Sequence, residues 1–175
     1  MDFKIVLQSD QNYLRKTGPM VPAQWTITPN QAQQLMLLRK EIPKPIAGYL
    51  LFDTGARHIA IDRQIAEDLQ LPKLEKTIVH GFTSEEEVDQ YEALLILPII
   101  PLIPVEAQAI SFPIICQTSN IQKHHAEYTT PEGKPLNVIG VLGRTFMQFT
   151  KIYYDGLTGS VEIYLDRSGM YPKAD

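Results

Sequence analysis

The chain reads as an all-β protein, mainly short strands with a few short helices, closed or partly open as a barrel rather than layered as βαβ units. Three observations point there. Short apolar or alternating runs recur along the 175 residues, most of them cut by Gly, Pro, Asn or Asp. Two pairs of such runs flank a polar or glycine-bearing tip, as hairpins do. The longest stretch with helical periodicity runs only from about residue 29 to 41.

The elements follow in order. Phe3, Ile5 and Leu7 alternate with Lys4, Val6 and Gln8, a short strand that ends by Thr17-Gly18-Pro19. Trp25-Thr26-Ile27 is a further extended piece. Thr28-Pro29-Asn30-Gln31 is a helix start, with Thr28 as N-cap, Pro29 at the first helical position and Gln31 reaching back. Ala32, Leu35 and Met36 then share a face, and Ile42-Pro43-Lys44-Pro45 blocks continuation. Residues 1–45 are accordingly expected as an N-terminal extension, residues 46–165 as the main domain and 166–175 as a tail.

Within the main domain, Ile46 to Phe52 is an apolar strand and Arg57 to Ile61 a second one. Asp62 caps a short helix from Arg63 to Leu69 that buries Ile65, Ala66 and Leu69. Thr77–His80 and Tyr91–Leu97 form a hairpin around a tip that includes Glu85-Glu86-Glu87. Ala107–Ile110 and Pro113–Gln117 are extended runs. Residues 122–135 form a polar surface loop, Val138 to Leu142 a buried strand, and Arg144 to Phe149 a short helix. Lys151–Tyr154 and Ser160–Leu165 close a last hairpin, where Asp155-Gly156 serves as a turn.

Composition narrows the function. A net charge of −4 offers no bulk attraction for nucleic acid or an anionic membrane. The lone Cys116 forms no intrachain disulfide and, among Phe112-Pro113-Ile114-Ile115, is expected as a buried structural thiol. The longest apolar stretch, Leu94 to Ile103, is interrupted by Pro98 and Pro101 and is too short to span a bilayer. The N-terminus lacks a secretory pattern. The expectation is a cytoplasmic protein with no nucleic-acid or membrane partner. His124 and His125 are adjacent and point apart, and no Cys or carboxylate stands at ligand spacing. Neither a metal nor another cofactor is expected.

The most informative stretch is Asp53-Thr54-Gly55-Ala56, a carboxylate where an apolar strand meets a tight turn. Val79-His80-Gly81-Phe82-Thr83-Ser84 and Val141-Leu142-Gly143-Arg144-Thr145-Phe146-Met147 follow it in order. On these three segments, the region from about Ile46 to Leu165 resembles the retroviral-type (retropepsin-like) aspartic proteases. The resemblance implies an acid-protease barrel and an aspartic endopeptidase in which Asp53, Thr54 and Gly55 form the catalytic loop. Ala56, Arg57, His80, Gly81, Phe82 and Thr83 are then expected to meet substrate, with Gly81 to Thr83 as the flap tip. Leu142, Gly143 and Arg144 are expected to support the loop from behind.

Such hydrolysis needs two carboxylates sharing a proton, one activating water and one protonating the carbonyl oxygen. The chain contains a single Asp-Thr-Gly and no Asp-Ser-Gly. A second copy of Asp53 from an identical chain must complete the pair, so the partners expected are a twin subunit and a peptide or protein substrate. The competing reading is a catalytically silent fold of the same type, kept as a peptide-binding or dimerisation module.

Overall fold

In a computed structural model, the structure of the chain is described for residues 1–80, 85–130 and 132–166. The elements run β1 (Phe3–Gln8), α1 (Gln11–Thr17), β2 (Met20–Thr26), α2 (Pro29–Leu37), β3 (Ile46–Phe52), β4 (Ala60–Asp62), α3 (Arg63–Asp68) and β5 (Lys73–His80). They continue with β6 (Glu85–Pro98), β7 (Ile100–Pro101), β8 (Ala109–Ser119), α4 (Ile121–His124), β9 (Val138–Leu142), α5 (Arg144–Met147), β10 (Thr150–Asp155) and β11 (Ser160–Leu165). Strands dominate and the helices are short, as the sequence pattern implies.

Among the described residues, the larger sheet runs β2-β3-β9-β4-β8-β6-β5, and a further pairing of β2 with β6 closes it into a barrel. The β5–β6 hairpin projects from that barrel. The second sheet runs β10-β11-β1-β7. Trp25, Leu50, Ile61, Leu95, Leu97, Ile139 and Leu142 are fully buried inside the barrel core. Phe3, Ile5, Val161, Ile163 and Leu165 extend the same core under the second sheet.

This topology corrects the boundary expected at residue 45. β2 pairs with β3 from Met20↔Leu51 to Trp25↔Ile46 and with β6 from Gln24↔Ile96 to Thr26↔Leu94, so it is a barrel strand. β1 pairs with β11 along its whole length. The first 45 residues close both sheets rather than extend from them. The prolines at 43 and 45 mark a connection between strands, which locally has the same composition as a linker.

Local chemistry explains the elements and their departures from expectation. The Thr28 capping box forms: Gln31 N–H donates to Thr28 Oγ1 at 3.3 Å and Thr28 N–H to Gln31 Oε1 at 2.8 Å. Gln31 Nε2 also donates to the carbonyl of Glu92 and ties α2 to β6. The helix stops at Leu37, not at 41. Arg39 takes a left-handed φ of 54°, and Lys40 N–H closes onto Leu35 O, before the prolines act. Ala32 and Leu35 reach the core, while Met36 stays exposed. Helix α1, absent from the sequence reading, is capped by Asp10 accepting from Tyr13 N–H and ends at Gly18.

Several strand limits also move. β4 begins at Ala60, because Arg57 and His58 belong to the preceding loop. β5 begins at Lys73, and Glu85, Glu86 and Glu87 lie in the β6 ladder instead of at the hairpin tip. Cross-strand pairs Lys73–Asp89 and Lys76–Glu87, each 2.6 Å, hold this exposed ribbon. The two runs expected around residues 107–117 are one strand, β8; Pro113 is tolerated because β4 reaches only Gln117–Ser119, leaving β6 alone beside it. Cys116 is buried, and burial pushes its thiol up to about 12. Among the described residues, no helix is long and apolar enough to cross a membrane.

Candidate active site

Asp53 stands at the point where β3 leaves the barrel. Phe52 is buried and paired in parallel with Leu142 of β9, and Asp53 N–H continues that ladder onto Leu142 O at 3.1 Å. The chain then turns: Ala56 N–H donates to Asp53 O, and Gly55 N–H donates to the carboxylate Oδ1 at 2.7 Å. The carboxylate is therefore oriented by its own loop through a charge-assisted bond. Thr54 and Gly55 are exposed, so the tip of this loop faces outward.

The β9–α5 junction supports the loop from behind. Gly143 passes so close that a Cβ there would lie 2.3 Å from the carbonyl oxygen of His58 and 2.9 Å from that of Ala56. Only glycine permits this approach. Arg144 N–H donates to Ala56 O and Thr145 N–H to Arg57 O. The Arg144 guanidinium adds bonds to the carbonyls of Thr54, at 2.7 Å, and Gly55, at 3.2 Å. Below, Phe146 of α5 meets both Phe52 and Phe112 edge-on, with ring centroids 6.5 and 6.3 Å apart. Leu142, Gly143 and Arg144 are thus in direct contact with the Asp53 loop, through bonds their spacing in the chain does not reveal.

A cleft of about 430 Å³ opens at Asp53. The arms of the β5–β6 hairpin contribute Ile78, Val79, Glu86 and Val88 to one wall. Gly55, Ala56, Arg57, His58 and Arg144 form the floor beside the carboxylate. Gly81, Phe82 and Thr83, the expected flap tip, lie outside the described residues, as does the His80 side chain; the hairpin that carries them borders the cleft.

His124 and His125 also line it, which the sequence reading did not anticipate. The segment expected as a surface loop starts with helix α4, whose first turn is tied to Asp62. That residue is the expected cap of α3, accepting from Gln64 N–H at Oδ1, and its Oδ2 accepts from Gln122 N–H at 2.8 Å. One buried carboxylate thereby ties α3 and α4 together beside the cleft. The chain positions of residues 53 and 125 give no hint of this; the double use of Asp62, the burial of Ile121 against Met20, Leu136 and Val138, and the Gln122–Asn137 bond place α4. Burial lowers the His125 imidazole below its ordinary value; His124 adds to that, and Asp53 and Glu127 oppose it. Burial likewise lowers His58, reinforced by Arg57 and Arg144. Among the described residues no group of three or more His, Cys, Asp or Glu side chains is placed to hold a metal ion.

No protein-family model matches the chain. No curated protein matches it either. Among solved structures, the chain is similar to a retropepsin-like aspartic protease from Rickettsia conorii, at 11% identity over 94% of this chain and 93% of that one, with a TM-score of 0.44.

Proposed function

We propose that the chain is an aspartic endopeptidase that works as a homodimer, with Asp53 of each copy forming the catalytic pair. The observation that carries this reading is the placement of Asp53: a carboxylate on a barrel-fixed loop, held by Gly55 N–H, at the base of a cleft bordered by a projecting hairpin. A turn aspartate needs none of that surrounding cavity.

The outward face of the loop suits a two-fold partner. Thr54 and Gly55 are exposed, and Asp53 and Thr54 share a second cavity with Ile152 and Tyr154 of the neighbouring strand β10. β10 is the edge of its sheet, and Ile152, Tyr153 and Tyr154 are left uncovered on it. An exposed apolar edge strand is a ready site for pairing with another chain. A second copy seated there brings its own Asp53 loop toward the first.

In the pair, two carboxyls about 3 Å apart share one proton, because both cannot ionise together. The ionised one takes a proton from water as the water oxygen attacks the scissile carbonyl. The protonated one donates to the carbonyl oxygen. Collapse of the tetrahedral species then breaks the C–N bond, with a proton returned to the leaving amine. The β5–β6 hairpin would lie over the substrate and pair with its backbone, as strand addition does.

Asp53→Asn tests the proposal directly. Purified variant and parent are compared for cleavage of a diverse peptide library and for mass in sedimentation. The parent is expected to cleave and to dimerise, and the variant to dimerise without cleaving. Cleavage that survives in the variant removes Asp53 from the chemistry. A parent that binds peptides and dimerises but never cleaves them identifies the silent module instead.

A further inference from the structure

The protein carries a net charge of −4, yet the cleft at Asp53 gathers cationic and imidazole side chains. Arg57, Arg144, His58, His124 and His125 line it against two carboxylates, Asp53 and Glu86. These groups are not equally available to a ligand. Arg144 is engaged by the carbonyls of Thr54 and Gly55. Glu86 lies 4.0 Å from Arg63. Arg57 is different: its side chain is exposed at the cleft and makes no ion pair or side-chain hydrogen bond with the described residues. Its backbone is fixed all the same, since its carbonyl accepts from Thr145 N–H. A guanidinium on a hydrogen-bonded loop, with no partner among the described residues, is well shaped to grip a carboxylate in a two-point contact.

His58 and His125 stand beside it in the same cleft. His125 packs its ring on Tyr128 with centroids 4.8 Å apart, and its Nδ1 is buried with no partner among the described residues. That leaves Nε2 as the ring nitrogen able to serve a ligand. Neutral imidazole can donate one hydrogen bond without adding charge.

We infer that the cleft selects peptides carrying an acidic side chain close to the scissile bond, with Arg57 as the residue that receives the carboxylate and His58 and His125 as supporting donors. The inference rests on the preceding proposal only in that a peptide occupies this cleft. Two features of the cleft argue for an acidic occupant: a guanidinium on a hydrogen-bonded loop with no ion pair among the described residues, and cationic and imidazole side chains that outnumber the two lining carboxylates.

The test uses the full chain and peptide sets matched at each position as Glu, Gln or Lys. For the active protein, cleavage sites are mapped by mass spectrometry. A preference for Glu over Gln on the order of tenfold is expected at one subsite, the scale of one charge-assisted contact. Arg57→Gln should erase that preference, and Arg57→Glu should turn it toward Lys. The same sets are then bound to the Asp53→Asn chain by fluorescence anisotropy, which reads selectivity whether or not any peptide is cut. Glu peptides that bind no better than Gln peptides, or a Glu preference indifferent to Arg57, overturn the inference while leaving peptide hydrolysis standing. Arg57-dependent Glu selectivity in a chain that cleaves nothing removes the protease reading and retains this one. Circular dichroism and thermal melting confirm that each Arg57 variant is folded.

Discussion

Asp62 does more for this site than its place in the sequence suggests. It is buried, and its two oxygens accept from Gln64 and Gln122, so a single carboxylate caps α3 and anchors the start of α4. Asp62→Ala removes both bonds and leaves two backbone donors unsatisfied. The expected loss is about 1–3 kcal/mol, the range for a cap combined with an unmade buried bond. Urea unfolding should show a lower midpoint at unchanged slope. An unshifted midpoint would mean that water replaces the carboxylate at no cost. Because α4 carries the histidines to the cleft, peptide binding should weaken as well.

Two elements decide the geometry of the loop and the reach of the proposed dimer. At the β9–α5 junction, Gly143 lies against the carbonyls of His58 and Ala56. Gly143→Ala has no flexible neighbour to displace, since the clash is with backbone. Overpacking of this kind costs about 1–3 kcal/mol, and the displaced atoms belong to the loop that positions Asp53. Activity is therefore expected to fall further than stability does, and comparing kcat with the melting temperature checks it. Equal kcat in a folded variant would show that the loop absorbs the shift. On the other sheet, edge strand β10 offers Ile152, Tyr153 and Tyr154 to solvent. Ile152→Lys places a charge at the proposed twin contact, where a charge on the edge strand opposes pairing. Sedimentation should show monomer with the barrel intact. A dimer of undiminished strength would place the contact elsewhere.

At the scale of the whole molecule, stability should depend on pH through the cleft histidines. Burial holds His58 and His125 below their ordinary value of 6.5, so the folded chain resists a proton that the unfolded chain accepts. Stability is then complete above pH 6.5 and declines as pH falls through it. Asp89 and Glu162, held below their ordinary values by Lys73 and by Tyr164 respectively, lose their contributions only at lower pH. A His58→Gln, His125→Gln double variant should flatten the stability profile between about pH 7 and 5 while leaving the acid limb in place. If the slope in that window stayed the same, other groups would have to be responsible. In the same fold β2 completes the barrel: without it, neither β3 nor β6 has its partner on that side.

The sequence by itself determined the strand-rich class, the Thr28 capping box, the Asp62 cap, the buried thiol of Cys116 and the motif at Asp53. The two caps are set by interactions among neighbours a few residues apart, and the others leave a local pattern of apolar and turn residues in the chain. It missed α1 despite the local signals Asp10 and Gly18, because the segment has little apolar periodicity; only Leu14 and Thr17 are buried there. It misread Lys73 to Lys76 and Glu85 to Glu87, whose strand structure comes from cross-strand pairing rather than from alternating burial. Only the tertiary structure decided the rest: β2 as a barrel stave, Gly143 against His58, Arg144 on the Thr54 carbonyl, and His125 in the Asp53 cleft. Barrel closure pairs residues far apart in the chain, and hydrogen bonds between such residues leave no periodic trace in the order of the amino acids.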